Sequence, residues 1–163
     1  MNNDLLFSSE ASDWETPKEL FDQLDTEFYF DIDVCASTKN TKCLGFYDEK
    51  ANGLEHDWGC CVCWMNPPYG KTIGQWMDKA LAATRRGATV VCLIPARTST
   101  SWWHRVVMQA TEIRFIVGRV RFVGAVWDAP FPSVIVVFRH GQLGCPQISS
   151  YTYEKATSKT ERS

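Results

Sequence analysis

The run Asn66-Pro67-Pro68-Tyr69 combines residue types that could hold a reacting group. Two prolines after an asparagine impose extended or turn backbone, remove two N–H donors and leave the preceding carbonyls pointing outward. Such a stretch suits a planar amine held by two acceptors, the Asn66 side-chain oxygen and the Pro67 carbonyl, with the Tyr69 ring stacked on the ring that carries the amine. Both acceptors draw density toward a nitrogen that becomes positive as it attacks an electrophile. The competing reading is loop punctuation, because Asn-Pro and Pro-Pro also simply end strands. A second set, Arg97, Thr98 and Thr100, precedes Trp102, Trp103, His104 and Arg105. Cations interleaved with aromatics suit phosphates and unstacked bases. An amphipathic helix with tryptophan in the core and arginine in solvent would show the same pattern. Arg119 and Arg121 alternate along a β-prone segment and would share one face, as a phosphate track or as an ordinary polar edge.

These residues need elements to position them. Thr16-Pro17 followed by KELFDQLDTEF reads as a helix start, with Thr16 as cap and Leu20, Phe21 and Leu24 at helical spacing. FYFDIDVCA reads as a strand ending near Asp33 to Ala36, and CLGFY as a short second one. CCVCWM is an apolar run stopped by Asn-Pro-Pro, hence a buried strand and a turn. IGQWMDKALAATRRG reads as a helix, ATVVCLIPA as a buried strand, and SWWHRVVMQA as a short helix capped by Thr100 or Ser101. TEIRFIVGRVRFVG and SVIVVFRHG are β-rich and are joined by the loop WDAPFP. Alternating strands and helices followed by two strands imply an α/β fold, a mostly parallel sheet with an antiparallel edge. Ligands bind such sheets outside the carboxyl ends of the strands, where the DIDV and NPPY tetrads fall.

Composition narrows the classes. With 163 residues and 45% hydrophobic content, one folded domain is expected over 13–148, between polar tails at 1–12 and 149–163. The net charge of −2 excludes a uniformly basic coat, so any contact with a polyanion must use a local patch. Seven cysteines, an odd number, argue against a disulfide framework, and the acidic, polar N-terminus does not resemble a secretory leader. A cytoplasmic protein with reduced thiols is expected. No apolar run reaches the ~18 residues of a membrane span. Cys60 and Cys63 have C-x-x-C spacing without a second pair, so no metal is expected.

MNPPYG resembles the (D/N/S)-P-P-(Y/F/W) motif of amino-group methyltransferases. The wider pattern W-x-T-P-x-x-L-F, D-I-D-V-C-A-S, N-G-L-x-x-x-W, N-P-P-Y, L-I-P-A-R-T-x-T-x-W and G-R-V-R-F is similar to the phage-type DNA N-6-adenine methyltransferase (Dam) family, over Trp14 to His140. The resemblance implies a Rossmann-like methyltransferase fold, S-adenosylmethionine as cofactor, and transfer of its methyl group to the 6-amino group of adenine in DNA. It implies Asn66, Pro67, Pro68 and Tyr69 as the catalytic set, and a target base that leaves the duplex. The small size implies no separate target-recognition domain, with base readout from the Gly118–Pro132 loop and the Trp102 region. The family's methyltransferase relatives often carry a D-x-F-x-G-x-G loop, where this chain has DVCAS. S-adenosylmethionine needs a carboxylate for its ammonium, an acid for its ribose and an apolar slot for adenine. Asp33, with Ala36 beyond it, is expected at the ammonium, and Thr16-Pro17 and Asn66 at the methionine end. Asp48 is a candidate for the ribose, and Asp57 with Trp58 for the adenine. DNA would be held by Arg97, Thr98, Trp102, Trp103, Arg105, Arg119 and Arg121. Methyl transfer to RNA or to a protein amide, and an inactive nucleic-acid-binding module, are the alternatives.

Overall fold

A computed structural model of the chain describes residues 14–37 and 39–155. Helix α1 (Lys18–Phe28) buries Leu20, Phe21, Leu24 and Phe28 on one face, as their spacing predicts. Its N-cap is Pro17, with no side-chain cap bond, so Thr16 is released for another role. Tyr29 ends the helix in the left-handed region (φ 55°) and donates its N–H to Asp25 O. The strand expected from Phe28 is therefore cut to β1 (Ile32–Asp33). Phe30 stacks on Phe28 and packs against Phe21 and Trp64 instead.

Strand β2 (Gly45–Phe46) and β3 (Val62–Met65) flank β1, both parallel to it. Helix α2 (Ile73–Arg85) carries the chain over to β4 (Thr89–Pro95), parallel to β3. Helix α3 (Ser101–Arg105) and a 3₁₀ turn (Val107–Gln109) lead into β5 (Glu112–Ile116). Strand β6 (Ser133–Phe138) and β7 (Gln147–Tyr151) complete one seven-stranded sheet in the order β2-β1-β3-β4-β6-β5-β7.

Three expectations are corrected. The antiparallel strand is β6, inserted between β4 and β5, and not an edge. All six residues of its SVIVVF run are buried, the signature of an interior strand, whereas polar QISSY takes the edge. Arg119 and Arg121 do not alternate along a strand, because β5 stops at Ile116 and Gly118 turns the chain at φ 76°. The expected tail from Ser149 opens inside β7, which pairs with β5 in parallel. The expected tail at 1–12 lies outside the described residues.

Parallel pairing sets up the functional end of the sheet. Asp33 pairs with Trp64, so their side chains share a face, and Asn66 follows two residues later on that face. The N-G-L-x-x-x-W motif braces this end. Asn52 accepts from Leu54 N–H, and Trp58 Nε1 donates to Gly53 O at 2.8 Å. A Cβ on Gly53 would sit 2.0 Å from the Val34 carbonyl, so only glycine lets this loop approach β1. No helix of the described residues is long and apolar enough to cross a membrane.

Candidate active site

A cleft opens at the carboxyl ends of β1 and β3. Thr16, Asp33, Ala36, Trp64, Asn66 and Pro68 line it, so four of the residues expected at a cofactor come together. Asn66 is held from its amide side. Its Nδ2 donates to Trp14 O at 2.5 Å and to Thr16 Oγ1 at 3.0 Å. Both partners are acceptors here, which leaves Oδ1 as the accepting atom of the side chain. That oxygen receives the Tyr69 hydroxyl at 2.7 Å, and the same hydroxyl lies 3.1 Å from Leu93 O. The Tyr69 ring is 5% exposed, with Phe122 and Phe131 edge-on at 6.1 and 5.7 Å. Burial raises the Tyr69 pKa well above its ordinary value, so the hydroxyl remains a neutral donor. Pro67 is buried and Pro68 half-buried, and the Tyr69 carbonyl accepts from Arg97 at 2.8 Å.

The cleft is acidic. Asp33 is 3% exposed, and loss of solvent pushes its carboxyl up to about 6 despite backbone N–H bonds from Lys42 and Cys35. Glu15 and Glu49 line the same space, whose single cation, Lys42, is bound to Glu15 at 3.1 Å. A desolvated carboxylate with two more beside it and one lysine already paired suits a ligand that brings positive charge. Trp64 and Pro68 supply apolar wall.

Other expected cofactor residues lie elsewhere. Pro17 faces a separate hollow with Glu19, Arg121, Asp128, Tyr153 and Lys155. Asp48 closes a surface turn by accepting from Ala51 N–H. Asp57 accepts from Arg86 at 2.9 Å, and Trp58 is buried with Lys79 over its ring. None of these four lines the cleft. Trp14, Glu15, Ser37, Asn40, Lys42 and Glu49 do, and went unnoticed in the sequence. Trp14 and Ser37 carried a signal, as the tryptophan of W-x-T-P and the serine of D-I-D-V-C-A-S.

The residues expected at DNA are corrected in part. Trp102 and Trp103 are 7% and 4% exposed and sit in the core cluster, so neither offers a face to a nucleobase. Thr100 caps α3 through its side chain and also donates to Arg97 O, which makes this loop a helix start. Arg105 is forked on Asp78, and Arg121 is paired with Asp128 at 2.9 Å. Arg97 turns inward to Tyr69, while Thr98 and Arg119 are exposed. The one exposed tryptophan among the described residues is Trp127, on the loop between β5 and β6.

Comparison with known proteins identifies the family. A family model described as DNA N-6-adenine-methyltransferase (Dam) matches residues 6–159. The chain is 34% identical over 113 residues to the DNA N-6-adenine-methyltransferase of Haemophilus phage HP1 (strain HP1c1), covering 68% of this chain and 65% of that protein. It is 32% identical over 105 residues to the DNA N-6-adenine-methyltransferase of Escherichia phage T1, covering 63% of this chain and 44% of that one. The chain thus spans less than two thirds of the length of either relative.

Proposed function

Because the chain belongs to the DNA N-6-adenine-methyltransferase (Dam) family, we propose that it methylates the 6-amino group of adenine in DNA, with S-adenosylmethionine as donor. The sheet is then a Rossmann-like methyltransferase sheet with the donor at the carboxyl ends of β1 and β3. The observation that carries the reading is the fixed carboxamide of Asn66 in the lining of an acidic cleft, its oxygen an acceptor engaged by the Tyr69 hydroxyl. The cofactor, when bound, would supply an electrophilic methyl group on a sulfonium.

The residues present fit such a group. Asp33 is positioned to meet an ammonium, and its high pKa marks a carboxylate that gains from a cationic partner. Thr16, Ala36, Trp64 and Pro68 form the remaining walls. Asn66 Oδ1 and the Pro67 carbonyl accept from the target amine and favour the positive charge that grows on its nitrogen. The amine lies on the pairing edge of adenine, so the base must leave the stack to reach Asn66. The Tyr69 hydroxyl must then yield Asn66 Oδ1 and retain Leu93 O. The Tyr69 ring is as buried as those of Trp102 and Trp103 and presents no face here; stacking on an entering ring would require Phe122 and Phe131 to leave it. No covalent enzyme intermediate is required, since orientation and charge stabilisation suffice.

The test is transfer of isotope from methyl-labelled S-adenosylmethionine to unmethylated DNA, with digestion to nucleosides. Label in N6-methyladenine is expected, reduced on the order of 10²–10³ in Asn66→Ala. Label recovered in RNA or protein amide instead, or near-normal turnover by Asn66→Ala, refutes the reading.

A further inference from the structure

The loop from Gly118 to Pro132 is built in two halves. Its inner half is anchored: Val120, Phe122 and Ala129 are buried, and Phe122 and Phe131 pack against Trp14 at 5.2 and 5.5 Å. Ala129 N–H donates to Val120 O, Ala125 N–H to Phe122 O, and Val123 N–H to Glu15 O at the rim of the cleft. Its outer half is apolar and turned outward. Val126 is 77% and Trp127 79% exposed, and Val123 joins them across the Gly124 turn at φ 78°. A tryptophan and two valines on a braced tip lose stability in water, and no described residue covers them.

The tip is next to the amine acceptor. Phe122 touches Tyr69, whose hydroxyl is on Asn66, and Val123 is hydrogen-bonded to the segment that holds the Asn66 amide. Its base presents two basic side chains outside any ion pair among the described residues: Arg119 is exposed, and Lys155 donates to Arg119 O at 2.7 Å, while Arg121 beside them is paired with Asp128 and Glu19 lines the same hollow. Apolar groups above two basic side chains match a base stack between phosphates.

We propose, on the premise of DNA methylation above, that Trp127, supported by Val126, is a wedge that enters the duplex beside the target adenine and occupies the stacking space the adenine leaves. Wedges of this kind unstack base steps and lower the cost of extruding a base. Trp127 is a positioning residue, since it meets neither the amine nor the donor. Its removal raises the cost of opening the duplex and leaves the chemistry on an already open base unchanged.

The experiment compares unmethylated plasmid DNA as duplex with the same DNA heat-denatured to single strands, for wild type, Trp127→Ala and Trp127→Phe. Methyl incorporation is measured on both forms. Base–aromatic stacking is worth ~1–3 kcal/mol, which converts to a loss of about 5- to 150-fold on duplex for Trp127→Ala. The rate on denatured DNA should hold within about twofold and Trp127→Phe should recover most of the loss. The emission that disappears in Trp127→Phe should also be quenched when wild type binds duplex, and this readout decides should wild type act on duplex alone. Wild type inactive on both forms refutes the methylation reading and not the wedge alone. An active wild type with an unchanged duplex-to-single-strand ratio in Trp127→Ala overturns the wedge. So does an equal loss on both forms, an unquenched Trp127, or an unchanged ratio with a lower sedimentation mass, which would mark the tip as a contact between copies of this chain.

Discussion

Tyr69→Phe isolates one atom of the site. The Tyr69 hydroxyl has one proton and two acceptors, Asn66 Oδ1 at 2.7 Å and Leu93 O at 3.1 Å. Burial holds it protonated, so at any working pH it competes with a target amine for the Asn66 oxygen. The competition is worth at most one net hydrogen bond, ~0.5–1.5 kcal/mol, because the displaced hydroxyl still has Leu93 O. Removing it should lower KM for DNA by about 2- to 12-fold and leave kcat within a few-fold. The folded state loses the same bond, so Tm should fall by roughly 2–4 °C. Steady-state methyl transfer on duplex DNA, with calorimetry on the apo-protein, gives both numbers. In an Asn66→Ala background the KM effect should vanish, since the contested oxygen is gone. A loss of two orders of magnitude in kcat at constant KM would show that the hydroxyl acts on the reaction itself. An unchanged KM with the expected Tm loss would show that the amine never meets this oxygen.

The remaining expectations concern charge. Asp33 titrates at about 6 in the fold against 3.8 as its ordinary value. The native state therefore holds a proton that the unfolded chain has lost, and stability falls as pH rises through this window, by about 3 kcal/mol in all. Urea midpoints between pH 4 and 7 should show that slope in wild type and not in Asp33→Asn. S-adenosylmethionine affinity by titration calorimetry should run the other way, weakening about tenfold per unit below pH 6, because the cation needs the ionised form. Arg114 holds Glu27 and Glu112 and lies over the Phe28 and Tyr151 rings, joining α1, β5 and β7. Arg114→Ala leaves Glu27 without its guanidinium while Glu112 keeps Arg139 at 3.5 Å, and should cost about 1–3 kcal/mol by denaturant unfolding, below the range for a buried pair because Glu27 is partly solvated. In salt titrations of duplex binding, Arg119→Ala should flatten the slope by about 0.9, whereas Arg105→Ala should leave it unchanged, since Asp78 already neutralises that guanidinium.

The legibility of the fold followed the range of the interactions that set it. Helices α1 and α2, β4 and the Asn66 turn were readable because local periodicity and proline chemistry decide them. The position of β6 was not, although its unbroken SVIVVF run marks an interior strand; placing it between β4 and β5 is a matter of pairing partners far apart in sequence. The cut of β1 to two residues depends on Tyr29 adopting φ 55°, a strained choice that no β-propensity reveals. At the site, Asn66, Asp33 and Thr16 were legible through their motifs and came together. Trp58, Trp102 and Trp103 are buried, which the sequence could not reveal because type and spacing cannot tell a braced core tryptophan from an open aromatic face. Here Gly53 O and the α3 turn take those rings inward.

The segment Trp14-Glu15-Thr16 explains why so much of the site escaped pattern reading. Its three residues look like the lead-in to a helix, yet each serves a different part of the site. The Trp14 carbonyl and the Thr16 hydroxyl fix the Asn66 amide, which orients the amine acceptor. The Glu15 side chain neutralises Lys42 beside Asp33, which keeps the cleft acidic. The Glu15 carbonyl anchors Val123, and the Trp14 ring packs on Phe122 and Phe131, which braces the loop carrying Trp127. Cofactor cleft, amine acceptor and loop are thus linked through three consecutive residues. On the proposed function, entry of a base against Phe122 and Phe131 would press on Trp14, and Trp14 shares its backbone with the groups that hold Asn66 and Lys42. The threading of this segment would then couple DNA binding to the geometry of the cleft.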